Sequence, residues 1–181
     1  MSNELSPDKG HYRISKGVEL CLSCGFCCNG VLFSFVPLKT DEAELASQLG
    51  LSLYPKKADF DAIYLPCSCF KDNKCSVYDA QQPRICEKYQ CKLLKGYLQG
   101  TISFGESMEL VRKAKGMMEA IYQNLGDVDP SKSIWKQIRD FMELQARSEN
   151  SEESRRITAR LLLDVKKLSI ICNHFGDGFF R

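Results

Sequence analysis

CLSCGFCC at residues 21–28 and PCSCFKDNKCSVYDAQQPRICEKYQC at 66–91 hold nine of the ten cysteines in the chain. A C-x-x-C pair brings two thiolates around one metal because the backbone turns back within four residues. Gly25, directly after Cys24, suits such a turn, where positive φ and close backbone approach are often required. The run Cys21, Cys24, Cys27 also has the C-x2-C-x2-C spacing that gives three ligands to an iron–sulfur cubane, with a fourth from elsewhere.

Cys28 adds geometric information. Adjacent residues project about 180° apart in an extended segment and about 100° apart in a helix, so Cys27 and Cys28 do not easily ligate one tetrahedral ion. Either they serve two neighbouring centres or one is a spare thiol. Within one unbroken helix over 83–97, Cys86 and Cys91 would lie about 140° apart. The spacing therefore predicts a helix irregular between them, or service to different centres. The candidate metal ligands are Cys21, Cys24, Cys27, Cys28, Cys67, Cys75, Cys86 and Cys91. They suffice for two four-thiolate sites, or for one cluster and one zinc. Cys69 reads as a buried thiol, since free cysteine is among the most buried residue types.

Composition frames this reading. The chain has 181 residues, 44% hydrophobic and 27% charged, ordinary for one globular domain with at most a small appendage. Its net charge of +2 gives no global pull toward nucleic acid or anionic membrane. No apolar stretch approaches the roughly 18–20 residues that span a bilayer, and MSNELSPDKGHYRISKGVEL lacks the apolar region of a secretory signal. The expectation is a cytoplasmic protein, where clustered cysteines signal metal or redox chemistry rather than disulfides. An all-thiolate shell suits zinc or an iron–sulfur cluster and argues against magnesium or calcium. The triplet spacing tilts the choice toward iron–sulfur.

These motifs resemble those of the YkgJ-type cysteine-cluster family, a zinc- or iron-chelating domain. The family pattern is C-x2-C-G-x-C-C, later P-C, then C-x-[IV]-Y and a Pro-x2-Cys segment ending in aromatic-x-Cys. The chain matches at Cys21, Cys24, Gly25, Cys27, Cys28, Pro66, Cys67, Cys75, Tyr78, Pro83, Cys86, Tyr89 and Cys91. It departs at Gln82, where the family usually has arginine, and in the extra Cys69. The resemblance covers roughly residues 17–95 and implies metal chelation. A related group, the flagellin lysine N-methylases, carries a similar cluster, but nothing else in this chain matches a methyltransferase.

The expected fold class is α+β: a small cysteine-rich unit of short strands and helices, then a three-helix C-terminal segment. Residues 1–16 read as a polar tail, 17–98 as the metal-chelating domain and 104–181 as the helical region, with a glycine-bearing boundary at KGYLQGTISFG. GVLFSFV (30–36) and DAIYL (61–65) read as strands, and KDNK (71–74) as a turn. TDEAELASQLG reads as a helix capped by Thr40 or Asp41 and stopped at Gly50. Pro83 is placed to start another helix.

Three longer helices follow, at about 105–125 ending at Gly126, about 130–148 with Pro130 in the first turn, and about 151–172. In the last, Asn150 and Glu153 form a plausible capping pair. Its stripe of Ile157, Leu161, Val165, Leu168 and Cys172 assigns Cys172 to the core.

Other features carry less. His11 sits in the tail and His174 beyond a helix end; FGDGFF at 175–180 is too short for a phosphate loop. Arg84, Lys88, Lys92 and Lys95 fall at helical spacing and read as a solvated basic face; Tyr78, Tyr89 and Tyr97 nearby match no base-stacking motif. No phosphate-loop, dinucleotide, serine-hydrolase or zinc-protease motif occurs. Three functions remain open: a thiolate metal-binding protein, a structural-zinc adaptor for protein or nucleic acid that works through the basic face, and an iron–sulfur enzyme or accessory protein. Metal or cluster is the expected partner, a protein partner is compatible, and membrane and nucleic acid are disfavoured.

Overall fold

The computed structural model describes residues 7–53, 60–78, 81–147 and 151–176. Helix α1 (Pro7–Cys24) opens them, so residues 7–16 are helical rather than a tail. Packing explains why polarity misled there: Leu20 is buried and Gly17 lies against Leu94 and Leu98, so a narrow face of α1 suffices to hold it. The helix stops at Gly25, whose φ of +70° is a left-handed conformation that L side chains rarely adopt. The Gly25 amide donates to the Cys21 carbonyl (3.1 Å), and the Gly25 carbonyl accepts from Cys28 and Asn29 (both 2.9 Å).

Strand β1 (Phe35–Pro37) pairs antiparallel with β2 (Ala62–Tyr64). It is shorter than the strand expected over 30–36. The Val31 amide is taken by the Asn29 side chain (3.1 Å) and the Leu32 amide by the Phe26 carbonyl (3.1 Å), so the chain bends before it can join a ladder. Between the strands lies α2 (Ala43–Gln48). Its N-cap is Glu42 rather than Thr40 or Asp41, because the Glu42 carboxylate accepts from the amides of Lys39 (3.0 Å) and Arg84 (2.7 Å). Asp41 instead binds the Arg84 guanidinium.

The expected turn at 71–74 is the tip of a hairpin, β3 (Phe70–Lys71) and β4 (Lys74–Cys75). Asp72 and Asn73 both have positive φ (50° and 59°), the pattern of a two-residue hairpin turn for which these residue types are suited. Pro83 caps α3 (Arg84–Lys88). The chain then extends through Tyr89, and Cys91 caps α4 (Lys92–Gln99), which is the irregularity expected between Cys86 and Cys91.

Helix α5 (Phe104–Leu125) starts at a capping box, Ser103 with Glu106, and ends at Gly126. Helix α6 (Ile134–Arg147) starts later than about 130. Asp129 explains the delay: its carboxylate accepts from the Ser131 amide (2.9 Å) and hydroxyl (2.6 Å), and its own amide donates to Gln137 (2.9 Å). This side-chain turn competes with helix. Helix α7 (Glu152–Cys172) is capped by Ser151, which accepts from the Ser154 amide (3.1 Å); Asn150 lies outside the described residues.

Helix α5 packs on α7 and on α1, and α1 also packs on α4. One buried cluster runs through both halves of the chain, from Leu20, Phe26 and Val31 to Val111, Ile121, Leu161, Leu168, Cys172 and Phe175. Phe26 and Phe175 meet edge to face at 5.2 Å. Polar bonds also tie the halves together: Trp135 Nε1 donates to the Val31 carbonyl (2.8 Å), and the Lys92 amide to the Phe175 carbonyl (2.9 Å). A smaller cluster of Leu38, Ala46, Leu51, Ile63 and Cys69 lies under the β1–β2 pair.

Candidate metal centre

Five local structures deliver the cysteines. The last turn of α1 carries Cys21 and Cys24, and the turn after Gly25 carries Cys27 and Cys28. The β3–β4 hairpin has Cys67 just before it and Cys75 at its end. Helix α3 carries Cys86, and Cys91 caps α4, its sulfur accepting from the Leu94 amide (3.4 Å). The Cys67 amide donates to the Cys28 carbonyl (2.7 Å), a direct stitch between stretches 39 residues apart (67 minus 28).

All eight candidate ligands line one cavity of about 270 Å³. Cys69 and Cys172 do not: Cys69 is buried in the smaller core, its thiol donating to the Leu49 carbonyl (3.2 Å), and Cys172 is buried among the long helices. All ten cysteines are free thiols. The rest of the cavity wall is apolar apart from Gln82 and two tyrosines, Tyr78 and Tyr89, and it includes no charged side chain. Among the described residues, no three His, Cys, Asp or Glu side chains stand in position to hold a metal ion together. The sulfurs ring the cavity rather than meet at a point.

The thiols are strongly affected by this setting. Burial first, then the charge on Cys91, pushes Cys21 up to about 11. Burial also raises Cys24 and Cys27, with added repulsion from Cys91, Cys21 and, for Cys27, from Cys24 and Cys28. Cys28 is pushed up to about 12 by burial and then by Cys67, Cys75, Cys86 and Cys21. Cys86 rises to about 11 from burial and then Cys67 and Cys75. Burial raises Cys91 too, but the Leu94 and Leu93 amides and Lys95 pull it down; a helix N-terminus is a setting that favours thiolate. The Tyr89 hydroxyl is pushed up to about 12 by burial and by Cys27 and Cys91.

Other elements support the site. Gln82, only 8% exposed, donates through Nε2 to the Val77 carbonyl (2.7 Å) and lies 4.0 Å from Cys75 Sγ. It braces the segment between hairpin and α3. Phe70 packs over Gly25 and Phe33 meets Tyr89 edge to face at 5.3 Å. Phe33 and Phe70 were not singled out from sequence as part of the site, and Gln82 was noted only as a departure from the family pattern.

The basic face is not one helix face. The chain breaks between Lys88 and Lys92, and Arg84 is committed to Asp41 and Glu42. Tyr97 is a core residue, edge to face with Phe104 at 5.8 Å. His174 is exposed just past α7. Of FGDGFF, Phe175 is buried in the core and residues 177–180 lie outside the described residues. No helix among the described residues is long and apolar enough to cross a membrane. No family model, no curated protein and no solved structure matches this chain.

Proposed function

We propose that this protein is a cytoplasmic metal-binding protein of the YkgJ type, holding an iron–sulfur cluster or zinc through Cys21, Cys24, Cys27, Cys28, Cys67, Cys75, Cys86 and Cys91. The observation that carries this reading is the composition of the cavity: eight sulfurs and no charged side chain in an otherwise largely apolar wall. Eight thiols around one cavity serve no packing purpose that alanine or valine would not serve, and the pattern of raised thiols is what a soft cation relieves by accepting them as thiolates. Hard cations have no carboxylate to bind there. Bound in this cavity, an iron–sulfur cluster supplies one-electron chemistry, whereas zinc supplies a structural cross-link. The chain's own part is to exclude water with Phe26, Phe33 and Phe70 and to hold the Cys91 sulfur at the start of α4.

Anaerobic purification followed by elemental analysis and an absorption spectrum tests the reading. Iron with matching sulfide and visible charge-transfer bands supports the cluster. Colourless protein with stoichiometric zinc keeps the thiolate site and replaces the cluster. A folded chain with no transition metal, all eight thiols of which react freely with a thiol reagent, overturns the proposal.

A further inference from the structure

We propose that the eight cysteines form two separate four-sulfur centres joined at a single peptide bond, one built from Cys21, Cys24, Cys27 and Cys91, the other from Cys28, Cys67, Cys75 and Cys86. The inference deepens the metal-binding reading and rests on it.

Three features of the backbone draw the division. Cys27 and Cys28 are consecutive and project apart, so the chain hands one sulfur to each side. On the first side, α1 packs on α4, which sets the α1 turn bearing Cys21 and Cys24 beside the helix that Cys91 caps. On the second side, the Cys28 carbonyl accepts from the Cys67 amide (2.7 Å). The hairpin then carries the chain from Cys67 to Cys75, and Gln82 bonds Val77 and approaches Cys75 as the chain enters α3 with Cys86. The extended break at Tyr89 separates Cys86 from Cys91, so no single helix carries both.

Packing follows the same division: Cys24, Cys27 and Cys91 lie against the main core, and Cys67 against the smaller one. Each set also contains one exposed cysteine, Cys21 and Cys86.

Metal-loaded full-length Cys21→Ser and Cys86→Ser, the exposed member of each set, test the division by elemental analysis with circular dichroism as a folding control. Each single variant should lose the metal of one centre and keep the other. Cys21→Ser with Cys24→Ser should lose no more than Cys21→Ser alone, whereas Cys21→Ser with Cys86→Ser should lose both centres. Non-additive loss for the Cys21–Cys86 pair overturns the division. Wild-type protein gives a second readout that needs no variant: graded chelation followed by alkylation and peptide mapping should release the thiols as the two groups of four named above. Release of a mixed group, or of all eight together, also overturns it. Wild-type chain purified without metal would instead sink the metal-binding reading itself.

Discussion

Chelation of the metal from the intact, reduced protein will unfold its cysteine-rich half. Beyond the main core, which it enters through Leu20, Phe26, Val31, Leu93 and Tyr97, the apolar support available to that half without metal is small. Its separate core is Leu38, Ala46, Leu51, Ile63 and Cys69, and the four strands among its described residues are two or three residues long; isolated pairs of such strands are marginal in water. Against this stand the buried thiols. Structural zinc binding is worth about 10–16 kcal/mol in small peptides, while whole domains are stable by only about 5–15 kcal/mol. Removal of both centres together therefore exceeds any margin the small core supplies.

Helices α5, α6 and α7 bury their own faces against one another and should keep much of their helicity. The expected result is partial loss of the circular dichroism signal at 25 °C, with amide protection lost at Cys28, Cys67 and Phe70 and retained at Ile121 and Leu168. Hydrogen exchange with mass mapping reads this directly. Equal melting temperatures for loaded and stripped protein would show that the cavity holds nothing the fold depends on.

Local signals were legible in the sequence wherever the cause was local. Asp72 and Asn73 tolerate left-handed backbone, so KDNK was readable as a turn. Gly126 stops α5 and the apolar stripe of α7 is buried at Leu161, Leu168 and Cys172, both within reach of helical periodicity. The capping box Ser103-x-x-Glu106 was also present as a pattern and would have set the start of α5. What failed depended on partners distant in sequence. Residues 7–16 carry no apolar stripe of their own, and α1 is held where Gly17 and Leu20 meet α4 and the main core. Glu42 stands at the α2 N-cap position with its carboxylate held by the amide of Arg84, 42 residues away.

The site divides the same way. Cys172 was assigned to the core by the α7 stripe, Cys69 by the general burial of free cysteine, and the break between Cys86 and Cys91 followed from spacing; the structure leaves those two cysteines, Cys69 and Cys172, outside the cavity. The convergence of the two motifs was expected from their ligand chemistry, but its geometry was not readable, because it depends on the Cys28–Cys67 and Lys92–Phe175 backbone bonds. Nor was the bracing role of Gln82, whose nearest carbonyl partner is set by the hairpin exit.

Gly25→Ala will be among the most damaging single substitutions in the chain, for two additive reasons. Its φ of +70° costs an L residue about 1–2 kcal/mol. In addition, a Cβ there would stand 2.4 Å from Phe70 Cζ, so the ring must move out of the cavity wall, and overpacking of this kind costs about 1–3 kcal/mol. The sum, about 2–5 kcal/mol, falls on the turn between Cys24 and Cys27, so metal content should fall together with stability.

Gly50→Ala isolates the first cost. Gly50 has nearly the same φ, +72°, but nothing lies within 4 Å of its added Cβ. It should lose only the backbone share, about 1–2 kcal/mol, and keep its metal. Paired denaturant titrations with elemental analysis separate the two. Equal losses in both variants would mean that Phe70 does not press on Gly25, and with it that the aromatic wall of the cavity is not closed over the first C-x-x-C turn.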